Sequence, residues 1–179
     1  QRIERLITDY SQMLKDEVAL SKEKMKKINL KLIIRSVVDD YNNIYEAKRS
    51  IKIELIDEGN LNEYFIYGIE NRIEQIIANL LDNSISFSNN SQKVLVQIKK
   101  NQEDQIILRI VDQGKGFKEK NTNKVFNRFY SNRPDNFGQH SGLGLNIVKN
   151  LVDLHGGTIT AANNIDKEGA NIEIIFPKA

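Results

Sequence analysis

Four groups of residues in the last hundred positions have types and spacings that could do chemistry. Asn79 and Asn83 stand four apart in Asn79-Leu80-Leu81-Asp82-Asn83, and Asp112 opens Asp112-Gln113-Gly114-Lys115-Gly116, with Phe117 next. Phe126-Asn127-Arg128-Phe129 then sets one cation between aromatic rings, and Gly142-Leu143-Gly144-Leu145 closes the series. Each pattern alone occurs by chance in many folds. In this order, with strand and helix signals between them, they read as one nucleotide site.

The chemistry follows from residue type. Two asparagines four apart on a helix share a face, so both amides can point into one cleft. Their oxygens are hard, neutral ligands suited to Mg²⁺, which keeps several waters and takes its other oxygens from phosphates. The plainer alternative is that one Asn caps the helix end or bonds its own backbone. An ionised Asp112 only accepts hydrogen bonds, so it can take the exocyclic amino group of adenine, where guanine would offer an oxygen; that selects ATP over GTP. Gly114 and Gly116 let the backbone pass close to a base, although an Asp-x-Gly turn is common without any ligand. Gly142 and Gly144 open a helix whose unpaired N–H groups make a phosphate cradle. Leu143 and Leu145 anchor that helix. Phe126 and Phe129 pin the loop to an apolar floor, leaving Arg128 to reach solvent or a phosphate oxygen with its fixed fork. Lys115, Lys124 and Arg133 are further cations there, read as solvated.

These residues need a scaffold. From Gln1 to about Lys27, Ile3, Leu6, Tyr10, Met13 and Leu20 recur at three- and four-residue steps, predicting an amphipathic helix whose narrow stripe is interrupted by Glu17. A partner chain, or a helix upstream, fits that stripe better than the helix's own domain. Asn29 is the expected cap of a second helix to about Ala47. Strands are expected at 51–56 and 63–67, and a helix at 71–87 with Ile73, Ile76, Ile77, Leu80 and Leu81 inward. A hairpin of strands 94–100 and 105–111 turns at 101–104. Residues 113–141 form a long polar loop, of the kind that is usually functional. A helix from about Leu143 to His155 stops at Gly156-Gly157, and strands at 158–162 and 170–176 complete the sheet. The fold class is α/β (α+β), a two-layer sandwich whose mixed sheet is covered by helices on one face.

Composition narrows the function classes. The chain has 179 residues, 40% hydrophobic and 28% charged, with two prolines, which suits one ordered domain with a small appendage. Lys and Arg number 26 against 24 Asp and Glu, so the formal +2 gives no reason to invoke nucleic acid or an acidic membrane. With no cysteine there is no disulfide framework or thiolate nucleophile. No apolar run approaches the roughly 18 residues that would span a bilayer. The chain opens at Gln1 without an initiator methionine and reads as a cytoplasmic piece of something longer.

With the motifs placed, residues 29–179 resemble the catalytic and ATP-binding domain of bacterial sensor histidine kinases, which shares the Bergerat fold with gyrase, mismatch-repair and chaperone ATPases. Asn79-x-x-x-Asn83, Asp112-x-Gly-x-Gly, Phe126-x-Arg-Phe and Gly142-x-Gly-Leu resemble that family's N, G1, F and G2 boxes, and His155-Gly156-Gly157 resembles its usual helix end. The tracts 83–88 and 137–142 look closer to the ChvG-type envelope-sensing kinases. The resemblance implies ATP and Mg²⁺ as cofactors, with Asn83 holding the metal and Asn79 and Arg128 catalytic. It implies nucleotide contacts from Asn79, Asn83, Asp112, Gly114, Gly116, Phe117, Phe126, Arg128, Phe129, Gly142, Leu143, Gly144 and Leu145. Residues 1–28 would be the second helix of a dimerisation hairpin, giving a homodimer that passes phosphate to a response regulator receiver domain. The fragment would lie outside the membrane, on the cytoplasmic side of a membrane-anchored parent. Many family members carry a lysine where this chain has Ser86, so Arg128 or another loop cation substitutes, or ATP binds more weakly.

Related ATPases place a glutamate at the position of Asn79, where it activates water. An amide cannot take that proton at neutral pH, so the site suits transfer to a protein nucleophile better than hydrolysis. The Gly-x-x-x-x-Gly-Lys-Ser/Thr loop and the His-Arg-Asp and Asp-Phe-Gly motifs of other kinases are absent. Neither His140 nor His155 has the setting of a phosphoacceptor, which is therefore expected upstream of Gln1. His155, at a helix end, would suit an imidazolium. Two alternatives share the fold: a serine-directed kinase of the anti-sigma-factor type, and a non-catalytic ATP-sensing module.

Overall fold

The computed structural model describes residues 8, 24–60, 63–127 and 144–179. The long first helix therefore lies outside the described residues apart from the helical Thr8, and so do Arg128, Phe129, Gly142, Leu143, Arg133 and the 137–141 tract.

Chain order is β1 (Lys26–Asn29), α1 (Leu30–Arg49), β2 (Lys52–Asp57), β3 (Phe65–Gly68), α2 (Glu70–Phe87), β4 (Lys93–Lys100) and β5 (Ile106–Val111). A 3-10 turn (Thr122–Phe126), α3 (Gly144–Leu154), β6 (Thr158–Asn163) and β7 (Ala170–Phe176) follow. Within the described residues, the elements expected from residue 29 onward are present to within a few residues. Two features were not foreseen. Lys26 and Lys27, read as the end of the first helix, belong to β1, which pairs antiparallel with β3. The loop after β5 contains the 3-10 turn. β1 was missed because its pairing lies about forty residues away, with Lys26 opposite Gly68, and two lysines carry no alternating pattern.

Five strands form the main sheet in the order β2-β4-β5-β7-β6. β2 runs parallel to β4 and every other neighbouring pair is antiparallel, so the sheet is mixed. One residue in two faces the core: Val94, Val96 and Ile98 of β4, Ile106, Leu108 and Ile110 of β5, and Ile172, Ile174 and Phe176 of β7 are all buried. The helices cover that face, α2 with Ile73, Ile76, Ile77, Leu80 and Leu81 and α3 with Val148, Leu151 and Val152. Each such aliphatic side chain stabilises the fold by about 1.5–3 kcal/mol on burial. The opposite face is solvated. There Arg109 and Glu173, directly opposite in register, form an ion pair, as do Lys93–Glu54 and Lys99–Glu58.

One helix end is fixed by its neighbouring residue and another by a residue distant in sequence. Asn29 caps α1 as expected, its Oδ1 accepting from the Lys31 N–H at 3.2 Å and also from the Tyr64 N–H at 3.3 Å. α2 ends against the Arg49 guanidinium, which donates to the Ile85 and Ser88 carbonyls at 3.1 and 2.6 Å, a cation at the negative end of the helix dipole.

Candidate functional site

Asp112 stands where β5 leaves the sheet, and it is 3% exposed. Its Oδ1 accepts from the Gly114 N–H at 2.9 Å and the Ala170 N–H at 3.2 Å. Oδ2 has no donor among the described residues. Burial pushes the carboxyl above the usual carboxylate range, and the two N–H donors partly offset that. The group is an oriented acceptor with one oxygen satisfied and one open.

The glycines after Asp112 are required by protein contacts. A Cβ at Gly114 would lie 2.4 Å from the Phe87 carbonyl oxygen, so this residue lets the loop close onto the end of α2. Gly116 has φ +77°, and a Cβ there would lie 2.6 Å from Asn163 Oδ1. The reason inferred from sequence, close approach to a base, is thus joined by a second one within the chain. Phe117 packs partly buried against the core, and its main chain is held at both ends by the Asn163 amide, with N–H to Oδ1 at 2.6 Å and carbonyl to Nδ2 at 3.0 Å.

On α2, Asn79 is half-buried and Asn83 is 5% exposed, one turn apart. The Asn79 Nδ2 donates to the Gly144 carbonyl at 3.4 Å, linking α2 to the first turn of α3. Asn79 and Gly144, sixty-five residues apart, therefore meet as the sequence pattern required. Ser86 is buried and donates to the Asn83 carbonyl at 2.7 Å. A short hydroxyl bonded within its own helix offers no counter-charge to a phosphate.

Val125 and Phe126 are buried, and the Phe126 carbonyl accepts from the Asn146 side chain of α3 at 3.0 Å. This fastens the 3-10 turn to the helix. Leu145 is buried and anchors the start of α3, whereas a Cβ at Gly144 would meet nothing within 4 Å. Nothing among the described residues packs against Gly144 at that position. Among the described residues no group of three or more His, Cys, Asp or Glu gathers as a metal site.

His155 differs from expectation. It is 6% exposed, with Nδ1 2.7 Å from the Leu151 carbonyl and Nε2 accepting from the Ile69 N–H at 3.1 Å. Those partners assign the neutral ring with its proton on Nδ1. Burial holds its pKa below the usual histidine range, against the pull of the Leu151 carbonyl. The imidazolium imagined at the helix end is replaced by a neutral ring that joins the end of α3 to the start of α2, where Ile69 has no side-chain cap of its own.

Several residues against the site were not found from sequence: Asn146, Asn163, Asn164, Gly169 and Ala170. Asn163-Asn164 followed by Gly169 is a recognisable turn composition, but nothing local says that the turn closes onto Asp112.

Against known proteins, residues 68–179 match the family described as histidine kinase-, DNA gyrase B-, and HSP90-like ATPases, and the chain belongs to that family. It is similar to the sensor protein ChvG of Agrobacterium fabrum, 32% identical over all of this chain and 32% of the relative. The chain spans about a third of the length of the curated relatives it matches. Among solved structures it is similar to the mycobacterial sensor histidine kinase MprB, at 25% identity and TM-score 0.72, covering 86% of this chain and 97% of that one. It also shares the fold of the histidine kinase ThkA, solved in complex with the response regulator protein TrrA, at 21% identity and TM-score 0.73, covering 99% of this chain and 49% of that one. The family inferred from the four motifs and the mixed-sheet architecture inferred from the strand and helix pattern are both borne out. Among the described residues, no helix is long and apolar enough to cross a membrane.

Proposed function

We propose that this chain is the ATP-binding catalytic part of a two-component sensor histidine kinase, which transfers the γ-phosphoryl group of Mg·ATP to a histidine beyond these residues for relay to a response regulator receiver domain. The observation that carries the reading is Asp112: a buried carboxylate, oriented through Oδ1, whose Oδ2 is left to accept from an adenine amino group. The same oxygen facing guanine's O6 would be repelled. At the other end, Gly144 at the start of α3 meets no other described residue within 4 Å of a Cβ, and it would receive the phosphates together with Gly142 and Arg128. Mg²⁺, when bound, would neutralise phosphate charge there, held by Asn83 and by phosphate and water oxygens.

Asn79 supplies no base for water, so the fold can hold ATP for a protein nucleophile instead of spending it by hydrolysis. Residues 1–28 would belong to a dimerising hairpin and 29–179 to the catalytic domain, in a homodimer on the cytoplasmic side of a membrane-anchored parent. The relatives' names as sensor proteins and the regulator bound to the ThkA neighbour support that setting. Calorimetric titration with ATP and GTP, with and without Mg²⁺, tests the reading. ATP-selective, Mg²⁺-dependent binding is expected, with affinity falling about a hundredfold or more in Asp112→Asn, whose amide presents a donor or a weaker acceptor to the base. Equal binding of ATP and GTP would overturn it.

A further inference from the structure

Asp112 owes its orientation chiefly to a turn that none of the four motifs contains. β6 and β7 are joined through residues 164–169, closed by the Asn164 N–H bonding the Gly169 carbonyl at 2.9 Å. Three polar atoms of Asp112 are held from this turn and its second limb. Its N–H donates to the Ala170 carbonyl at 2.9 Å, its carbonyl accepts from Asn164 Nδ2 at 3.0 Å, and Oδ1 accepts from the Ala170 N–H at 3.2 Å. Gly169 passes so close that a Cβ there would lie 2.0 Å from the Asp112 carbonyl oxygen. The Asn164 amide is itself fixed, donating to the Glu168 carbonyl at 3.2 Å and accepting from Asn171 Nδ2 at 3.2 Å. One residue earlier, Asn163 grips both main-chain polar groups of Phe117, as a neighbouring strand would.

Both ends of the segment 112–117 are thus fastened to consecutive asparagines at the end of β6. We infer that Asn163 and Asn164 are positioning residues for base recognition: Asn164 sets the Asp112 main chain from which the carboxylate projects, and Asn163 sets the Gly116–Phe117 peptide along the same wall. The inference rests on the nucleotide reading above. A turn with a purely structural role would need only its own closure and the β6–β7 ladder. It would not need two side-chain amides reaching across to a different loop.

The test compares the 179-residue chain with Asn164→Asp, which keeps the shape but cannot donate to the Asp112 carbonyl, with Asn163→Ala, and with Ile165→Ser at the exposed tip of the same turn as a control. Calorimetry with ATP and with GTP is paired with a thermal melt of each sample. For Asn164→Asp and Asn163→Ala, ATP affinity is expected to fall about tenfold, the scale of one lost positioning hydrogen bond. The ATP-to-GTP preference should narrow in both, while Ile165→Ser binds as the parent does. Lower melting temperatures with ATP affinity and base preference unchanged would make the turn structural only and overturn this inference while leaving the nucleotide reading intact. Failure of the unmutated chain to bind ATP would overturn that reading and this inference with it.

Discussion

The two ends of the candidate site are built differently. At the base end, Asp112 sits 3% exposed in a cage of main-chain contacts, with Gly114 pressed on Phe87 and Gly169 pressed on Asp112 itself. At the proposed phosphate end, the hydrogen bonds that hold the start of α3 among the described residues are a long one from Asn79 to Gly144 at 3.4 Å and one from Asn146 to the 3-10 turn. α3 is held firmly at its other end, where His155 bonds both Leu151 and Ile69. The difference suits the proposed function, in which one base is recognised rigidly and the phosphates are presented to an acceptor. Close-packed main chain fixes a hydrogen-bond direction, while the N–H groups of a helix start suit a charged group.

The sharpest way to break the rigid end is Gly169→Ala. Its φ of +117° and the 2.0 Å approach to the Asp112 carbonyl oxygen leave no place for a Cβ, so a loss of about 2 kcal/mol or more is expected in denaturant-midpoint measurements, with ATP binding weakened in parallel. His155→Ala attacks the far end of α3. It leaves the Ile69 N–H buried without its acceptor, and about 1–3 kcal/mol of stability should be lost.

Acidity should separate the two regions further. The His155 pKa is lowered in the fold, so its contribution to stability is complete above the unfolded histidine value of about 6.5 and is lost as pH falls through the lower folded value. Urea melts across that window should show this acid-side loss in the parent chain, and less of it in His155→Ala. Asp112 is shifted the other way. Its pKa is raised, so proton uptake begins at a higher pH than for an ordinary carboxylate, and the acceptor proposed for the adenine amino group loses its charge as pH falls. ATP affinity should decline on lowering the pH, starting at a higher pH than an unshifted carboxylate would give and with a slope approaching one proton. The smallest effect is expected at the open end: Asn79→Ala removes only the 3.4 Å bond to Gly144 and should change stability by no more than about 0.5 kcal/mol. A large loss there would show that α3 depends on this bond and would erase the contrast between the ends.

Much of the scaffold was legible because its signals are local. The inward stripe of α2, the Asn29 cap and the β4–β5 hairpin, whose turn is closed by Asn101 Oδ1 accepting from the Glu103 and Gln105 N–H groups, all follow from neighbouring residues. Asp112 and the glycines after it could be singled out for the same reason. β1 and the neutral state of His155 could not, because each depends on a partner far along the chain, Gly68 opposite Lys26 and Ile69 beside His155.

By itself, the sequence determined residue type and periodicity: which faces are apolar, where helices start and stop, and that one acceptor, two amides and two glycine pairs occur in the order of an ATP site. Only the tertiary structure decided which oxygen of Asp112 is left open, which protein atoms demand Gly114 and Gly116, and that Asn163 and Asn164 hold the segment between Asp112 and Phe117. Hydrogen-bond direction and close approach depend on atoms brought together from dozens of positions apart, and no pattern of neighbouring side chains encodes them.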